Sequence, residues 1–158
     1  MEIIPILSAI SLKDLEATVA LGRQLAPHLR PGDCVALYGD LGAGKTALAR
    51  TILQALGVNE AVPSPTFTLV QTYETETLLL SHYDLYRLES PEEVRELGLD
   101  EALSDGVALI EWPDRAGPYL PEDALNITLT NVAGSEQGRL VTITGPARWA
   151  VLTKEIHV

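Results

Sequence analysis

The most informative segment of the chain is CVALYGDLGAGKT, residues 34–46. Its first five residues, Cys34–Tyr38, form a continuous apolar run, which is typical of a strand buried on both faces of a sheet. Residues 39–46 match the pattern G-x-x-x-x-G-K-[ST], a phosphate-binding loop. Behind the loop, apolar side chains recur at helical spacing up to Gly57, which can end a helix. The segment therefore predicts a strand, a phosphate-binding loop (P-loop) and a helix in direct succession.

The composition of this loop suits a triphosphate. Gly39, Gly42 and Gly44 remove side chains where phosphate oxygens must approach backbone N–H groups, and the N-terminus of the following helix favours negative charge. Lys45 can reach the β- and γ-phosphates, and Thr46 can offer its hydroxyl to Mg²⁺. We therefore expect ATP and Mg²⁺ as ligands, with the nucleotide contacted by Asp40, Leu41, Gly42, Ala43, Gly44, Lys45, Thr46 and Ala47.

The sequence favours adenine over guanine as the base. GTP sites of the familiar kind contain an N-K-x-D element. The three lysines of this chain follow Leu12, Gly44 and Thr153, so the element is absent.

Two acidic residues come at the ends of predicted strands. Glu111 closes the apolar run 107–110, and Asp84 follows the less apolar run 78–83. Because a P-loop needs a carboxylate near Mg²⁺, we predict that both acids act in catalysis together with Lys45. Glu111, the cleaner match to a buried strand ending in an acid, is assigned to the metal along with Thr46. The residues alone leave open which acid contacts the metal and which orients water.

Three further positions near these acids carry predictions. Residues 64–67 read SPTF and lie where nucleotide switches often place a hydroxyl that senses the γ-phosphate, so Thr66 is predicted to contact the nucleotide. A proline-rich turn without function is the alternative. Trp112 can either stack on the base or ribose or fill the core. His82 is expected to be packed or hydrogen-bonded beside Asp84, because it lacks companion ligands at metal spacing.

Helix signals occur at three other places. Ser11 and Asp14 resemble a capping box at the start of an amphipathic helix that ends near Pro27. Ser90, followed by proline, starts another helix, which should end at Gly98. The tail after Pro146 carries a weaker pattern at helical spacing, formed by Trp149, Leu152 and Ile156.

Strand signals complete the pattern. Residues 68–73 and 78–83 predict two strands joined by a tight connection, and residues 125–129 and 141–143 predict a late hairpin. Mixed βα units and hairpins indicate an α/β protein, a P-loop NTPase-type three-layer fold with a mixed parallel and antiparallel sheet. Residues 1–158 are predicted to form a single P-loop ATPase domain.

Composition excludes several classes of protein. Eleven basic against 22 acidic residues give a net charge of −11, which argues against autonomous binding to nucleic acid. Cys34 is the only cysteine, so a disulfide framework within the chain is impossible. Its thiol is expected to be inert and packed in the core. The start, MEIIPILSAI, lacks the basic region of a secretory signal, and nothing is apolar enough to span a bilayer. We expect a cytoplasmic protein without a membrane partner.

Four motifs together carry a family resemblance. GDLGAGKT, SPTF, HYDLYRL and IEWPDR, in this order and spacing, closely resemble the TsaE family, also called YjeE. The resemblance spans about residues 15 to 115. It implies the P-loop role for Gly42, Gly44, Lys45 and Thr46, a switch-like role for Ser64 and Thr66, and acidic roles for Asp84 and Glu111. Trp112 matches the tryptophan that follows the acid in the family.

The resemblance also implies a function. Members of the family serve in making threonylcarbamoyladenosine beside the tRNA anticodon, together with the TsaD and TsaB proteins. We expect weak ATPase activity in isolation, because no motif places an arginine where it could act as an arginine finger. Contact with tRNA is expected only through the complex with the partner proteins. The alternatives are a P-loop kinase for a small molecule and a nucleotide-gated binding protein with negligible turnover.

Overall fold

The computed structural model describes residues 6–157. The prediction drawn from MEIIPILSAI rests partly on residues 1–5, which lie outside this range. Over the described residues, seven strands form one mixed sheet in the order β1-β7-β6-β2-β5-β4-β3. The strands are β1 (Ile6–Leu12), β2 (Cys34–Tyr38), β3 (Val70–Glu74), β4 (Leu79–Asp84), β5 (Gly106–Glu111), β6 (Leu125–Asn131) and β7 (Arg139–Thr144).

The strand that leads into the P-loop lies at the centre of this sheet. β2 runs parallel to β5 on one side and to β6 on the other, and β4 runs parallel to β5. β3, β7 and β1 add antiparallel pairs at the two sides. Because β2, β4 and β5 are parallel, their carboxyl ends meet at one edge of the sheet, where α/β proteins bind ligands.

Helices cover both faces of the sheet. The α-helices of the described range are α1 (Leu15–Leu25), α2 (Lys45–Ala55), α3 (Glu93–Glu96), α4 (Leu99–Asp105) and α5 (Leu152–Glu155). Val35 and Leu37 of β2 share a hydrophobic cluster with α1 and α2, whereas the alternate residues Cys34 and Ala36 share another with α3 and α4. The predicted three-layer α/β fold with a mixed sheet is therefore confirmed. None of the helices described has the length and apolar character that a membrane span requires.

The helix predicted to begin at Ser11 is wrong in its first residues. Ser11 lies in β1, opposite Leu140 of β7, and α1 begins only at Leu15. Asp14 is the N-cap, and its carboxylate accepts from the amide of Ala17 at 2.9 Å. Asp14 therefore caps the helix as a start signal requires, but the residues up to Leu12 form a strand because they pair with β7.

The helix predicted from Ser90 to Gly98 is shorter than expected. α3 spans only Glu93–Glu96, and Gly98, with φ +75°, separates it from α4. The predicted end at Gly98 is confirmed, because this left-handed residue stops α3 and opens α4, which the sequence did not predict. The tail signal is also confirmed: a 3₁₀ helix over Ala147–Val151 leads into α5, with Trp149 and Leu152 buried.

Candidate functional site

A cavity of about 270 Å³ opens at the carboxyl ends of β2, β4 and β5. Every predicted site residue except Asp40 lines it. The lining residues are Leu41, Gly42, Ala43, Gly44, Lys45, Thr46, Ala47, Ser64, Thr66, Asp84, Glu111 and Trp112. Four separate segments of sequence therefore converge on one cavity, as the motifs predicted.

The P-loop holds a conformation that depends on glycine. A Cβ atom at Gly39 would lie 2.7 Å from the carbonyl oxygen of Leu129 on β6, so no side chain fits there. Gly44 has φ +102° and directly precedes α2, whose first residue is Lys45. Leu48 and Ile52 of α2 are fully buried, which fixes the helix and with it the loop. The N-terminus of α2 consequently points at the cavity, with its positive end toward an anion.

Lys45 extends into the cavity from the start of α2. Its side chain is buried, and its ammonium donates to the backbone carbonyls of Gly39 and of Asp40, the latter at 3.1 Å. The ammonium also lies 3.9 Å from the ring centroid of Trp112. Burial lowers the pKa of Lys45, while the nearby carboxylates of Glu111 and Asp84 act in the opposite direction. The ammonium is thus held at the cavity by backbone carbonyls and an aromatic ring, and it forms no direct ion pair with any carboxylate of residues 6–157.

Glu111 is bonded from two sides. Thr46 Oγ1 donates to its Oε1 at 2.8 Å, and His82 Nε2 lies 2.7 Å from its Oε2. Glu111 and His82 are buried. Glu111 pairs in register with Asp84, and His82 lies two residues earlier on β4, so the three side chains share one face of the sheet. His82 is packed, as predicted, but its hydrogen bond goes to Glu111.

Asp84 belongs to a second group of polar side chains. Its Oδ2 accepts from Thr66 Oγ1 at 3.2 Å, and its Oδ1 accepts from the amide of Tyr86 at 3.1 Å. The hydroxyls of Thr66 and Ser64 are 2.7 Å apart. The segment 64–67 is therefore connected to the acid at the end of β4. Glu111 faces the P-loop threonine, whereas Asp84 faces the predicted switch segment.

Trp112 lies at the edge of the cavity in an unusual backbone conformation. Its φ of +57° is in the left-handed region, which residues other than glycine rarely occupy. The ring is half-buried, packs beside the core cluster on the α4 side, and lies 4.8 Å from the ring of Tyr86 between centroids. Trp112 therefore packs against core residues and also lines the cavity, and its stacking on a base or ribose stays a prediction.

Arg139 contacts the P-loop and was not predicted. Its guanidinium donates to the carbonyls of Ala43 at 2.7 Å and Gly42 at 3.0 Å. Arg139 and Ala43 are 96 residues apart in the sequence. Only the antiparallel pairing of β7 with β6, and the parallel pairing of β6 with β2, bring them together. No local motif around Arg139 signals this contact.

The oxygen donors beside the P-loop fit Mg²⁺. This ion binds proteins through one or two carboxylates and completes its coordination with water and substrate phosphates. Thr46 and Glu111 present a hydroxyl and a carboxylate that already touch. Within residues 6–157 there is no group of three or more His, Cys, Asp or Glu side chains arranged to hold a metal by themselves. The donor set thus matches a cation shared with a nucleotide.

Comparison with known proteins gives a consistent answer. The family described as "Threonylcarbamoyl adenosine biosynthesis protein TsaE" matches residues 12–140. The tRNA threonylcarbamoyladenosine biosynthesis protein TsaE of Rickettsia felis is 51% identical over 119 residues, which cover 75% of this chain and 70% of that protein. The Bacillus subtilis protein of the same name is 37% identical over 142 residues, covering 89% of this chain and 88% of that protein.

A solved structure extends the similarity to the fold. The crystal structure of Bacillus subtilis YdiB superposes with a TM-score of 0.80 at 32% identity, covering 98% of this chain and 96% of that chain. The sequence matches and the superposition agree with the resemblance carried by the four motifs. This chain belongs to the TsaE family.

Proposed function

We propose that this chain binds Mg·ATP, hydrolyses it slowly, and serves the threonylcarbamoyl modification of the adenosine beside the tRNA anticodon, acting on a TsaD–TsaB complex. Membership of the TsaE family supports the place in tRNA modification. One observation carries the nucleotide chemistry: Lys45, Thr46 and Glu111 converge at the N-terminus of α2 in one cavity. A helix N-terminus with a lysine, a hydroxyl and a carboxylate is the arrangement that P-loop enzymes use for a metal-bound triphosphate.

Each side of the cavity has its own role in this proposal. The loop amides and Lys45 would hold the phosphates, and Thr46 with Glu111 would hold Mg²⁺. When bound, that ion would neutralise the charge that develops on the transferred phosphoryl group. His82 fixes the Glu111 carboxylate through the 2.7 Å contact, so its oxygens are oriented before the nucleotide arrives.

Asp84 and the switch segment would act on the γ-phosphate side. Asp84 would orient the attacking water, since it is the acid bonded to Thr66 of the switch segment, whereas Glu111 is the acid bonded to the P-loop threonine. Thr66 is bonded to Asp84 at 3.2 Å, so a γ-phosphate that attracts the Thr66 hydroxyl would also change the surroundings of Asp84. This division assigns Glu111 to the metal and Asp84 to the water.

Slow turnover is expected because, among the residues that the structure describes, Lys45 is the only basic side chain lining the cavity. In the described part of the chain, no arginine lines the cavity. Arg87 lies over the ring of Phe67 at 4.6 Å, and Arg115 donates to the carbonyl of Leu88 at 3.4 Å. Since an arginine finger raises phosphoryl-transfer rates by about 10³ to 10⁵, a site without one is slow until partners complete it. A kinase-like arginine lid has no support here.

The setting in the cell is part of the proposal. An unpaired, buried cysteine fits a reducing cytoplasm. A net charge of −11 favours contact with tRNA through the partner proteins rather than directly.

Reconstitution tests this function. Phosphate release and tRNA modification are measured with purified TsaD and TsaB, with and without this chain, and with Lys45→Ala as the matched control. We expect the partners to raise phosphate release, and repeated rounds of modification to need wild-type chain and ATP. Modification that proceeds equally without the chain contradicts the biological role. Repeated rounds with a non-hydrolysable ATP analogue would show that the chain is a nucleotide-gated binding protein, and would contradict hydrolysis.

A further inference from the structure

The outer side of the P-loop is held by one side chain from the late hairpin. Arg139, the first residue of β7, donates through Nε to the carbonyl of Ala43 and through Nη2 to the carbonyl of Gly42. Its Nη1 donates to the carbonyls of Glu136 at 2.9 Å and Gly138 at 2.7 Å. A guanidinium has five N–H groups. Arg139 makes four hydrogen bonds, two to the P-loop and two to the connection between β6 and β7, and so ties these two segments together.

The carbonyls of Gly42 and Ala43 do not accept hydrogen bonds from the amides of α2 within the described residues. The amide of Leu48 donates to the carbonyl of Gly44 at 3.0 Å, so the bonding of α2 starts after Ala43. Without Arg139 the carbonyls of Gly42 and Ala43 would depend on water. Glycine at positions 42 and 44, both with positive φ, lets this part of the loop take many backbone conformations. A loop of this kind needs an external restraint to stay in one of them.

Holding the carbonyls also sets the direction of the amides. A peptide unit is planar and trans, so its C=O and N–H groups point in opposite directions. Arg139 fixes the Ala43 carbonyl on the outer side, which turns the amide of Gly44 away from the guanidinium. A loop fixed in this way loses less conformational freedom when a triphosphate binds.

We propose that Arg139 is a positioning residue for the nucleotide: by holding the Gly42 and Ala43 carbonyls, it keeps the loop amides arranged for the triphosphate. The inference rests on the proposed binding of Mg·ATP. Arg139 is not among the residues that line the 270 Å³ cavity, so it acts through the loop and does not touch the phosphates. It links the nucleotide site to the hairpin of β6 and β7, a part of the chain to which the motifs assigned no role.

The test compares Arg139→Gln with Arg148→Gln. Arg148 is a matched control because it is also partly exposed and bonded, to Asp33 at 3.0 Å, beside the opposite end of β2. Mg·ATP affinity is measured by titration calorimetry, and folding by thermal melting. We expect Arg139→Gln to weaken Mg·ATP binding by about 10- to 100-fold, the range that charge-assisted hydrogen bonds account for, and Arg148→Gln to bind as the wild type does.

A conservative variant separates positioning from general destabilisation. Lysine has one compact ammonium and cannot replace the planar fork on both loop carbonyls and the hairpin. At a temperature where all variants are folded, we expect Arg139→Lys to bind Mg·ATP more weakly than wild type and more tightly than Arg139→Gln. If Arg139→Gln does not fold, Arg139→Lys decides alone: wild-type affinity overturns the inference. Equal affinity of folded Arg139→Gln and wild type also overturns it, leaving the proposed function intact, whereas a wild type that binds no Mg·ATP defeats the proposed function itself.

Discussion

The hydroxyl of Thr46 donates to the carboxylate of Glu111 at 2.8 Å, although 65 residues separate them in the sequence. The contact joins the first turn of α2 to the end of β5. The two lie side by side because α2 follows the carboxyl end of β2, which runs parallel to β5. The two groups proposed to hold Mg²⁺ are thus brought within hydrogen-bond distance of each other by the fold. A pair positioned by the fold lowers the reorganisation needed when the metal–nucleotide complex binds.

Thr46→Val is expected to remove most of the effect of Mg²⁺ on ATP affinity. Valine keeps the shape of threonine but offers no oxygen to the metal. Affinity for ATP is measured with Mg²⁺ and with EDTA, and we expect the difference to shrink by about 10-fold or more, as a lost bond to a charged group implies. Thr51→Val is the matched control, because the Thr51 hydroxyl donates to the carbonyl of Ala47 in the same helix at 3.0 Å and does not line the cavity. An undiminished Mg²⁺ effect in Thr46→Val contradicts the metal assignment.

Glu111→Ala is expected to lower the free energy of unfolding by about 1–3 kcal/mol, because it leaves His82 Nε2 and the Thr46 hydroxyl without their partner. Glu111→Gln should lose less, since its amide oxygen still accepts one hydrogen bond. Urea denaturation measures both. Glu89→Ala, at an exposed position, serves as control and should change stability by less than about 0.5 kcal/mol. Equal stability of Glu111→Ala and Glu89→Ala rejects the buried network.

Tryptophan fluorescence should report nucleotide binding through Trp112 alone. The chain has two tryptophans. Trp112 lies beside the Lys45 ammonium at the cavity, whereas Trp149 is 2% exposed and donates to the carbonyl of Asp123. Adding Mg·ATP should change the emission of wild type and of Trp149→Phe. A change of similar size in Trp112→Phe shows that the nucleotide lies elsewhere.

Stability should fall above about pH 9 through Cys34. Burial raises the pKa of its thiol from 9.0 to about 12, with Asp123 and Asp33 adding to the shift. Because the folded-state pKa is the higher one, this stabilisation is complete below pH 9 and is lost as the pH rises toward 12. One titrating group changes the slope by at most about 1.4 kcal/mol per pH unit.

Cys34→Ala removes this group and supplies the control. Urea denaturation of both proteins between pH 8 and about 11 should show a shallower decline for the variant. Tyr83, whose pKa is raised to about 12 mainly by burial, remains in both proteins and adds a decline of its own above its ordinary value of 10.0. Parallel curves for wild type and variant contradict the prediction.

The parts of the fold that depend on contiguous residues could be predicted from the sequence. β2, the P-loop and α2 follow one another, so a single motif specifies all three. The strand β1 was missed because Ser11 and Asp14 resemble a helix start, and only pairing with β7, near the far end of the chain, makes residues before Asp14 a strand. Local pattern cannot show a partner that distant.

The candidate site follows the same rule. The motifs predicted that Lys45, Thr46, Asp84 and Glu111 belong to one site, and all four line one cavity. The two acids could be predicted to meet because each ends a strand, and these strands, β4 and β5, are parallel neighbours. Which acid faces the P-loop threonine depends on strand order, since β5 and not β4 lies next to β2. The contact of Arg139 depends on the register of β6 with β7 and has no sequence signal.

Calorimetric titration of the purified chain with Mg·ATP, alongside Lys45→Ala, is the decisive experiment on nucleotide binding at the P-loop. We expect one binding site per chain in wild type, and an affinity lower by at least about 10- to 100-fold in the variant, because an ammonium bonded to phosphates is lost. Thermal melting checks that both proteins are folded. A folded wild type that takes up no Mg·ATP, or a folded Lys45→Ala variant that binds it equally well, would show that the P-loop does not hold the nucleotide.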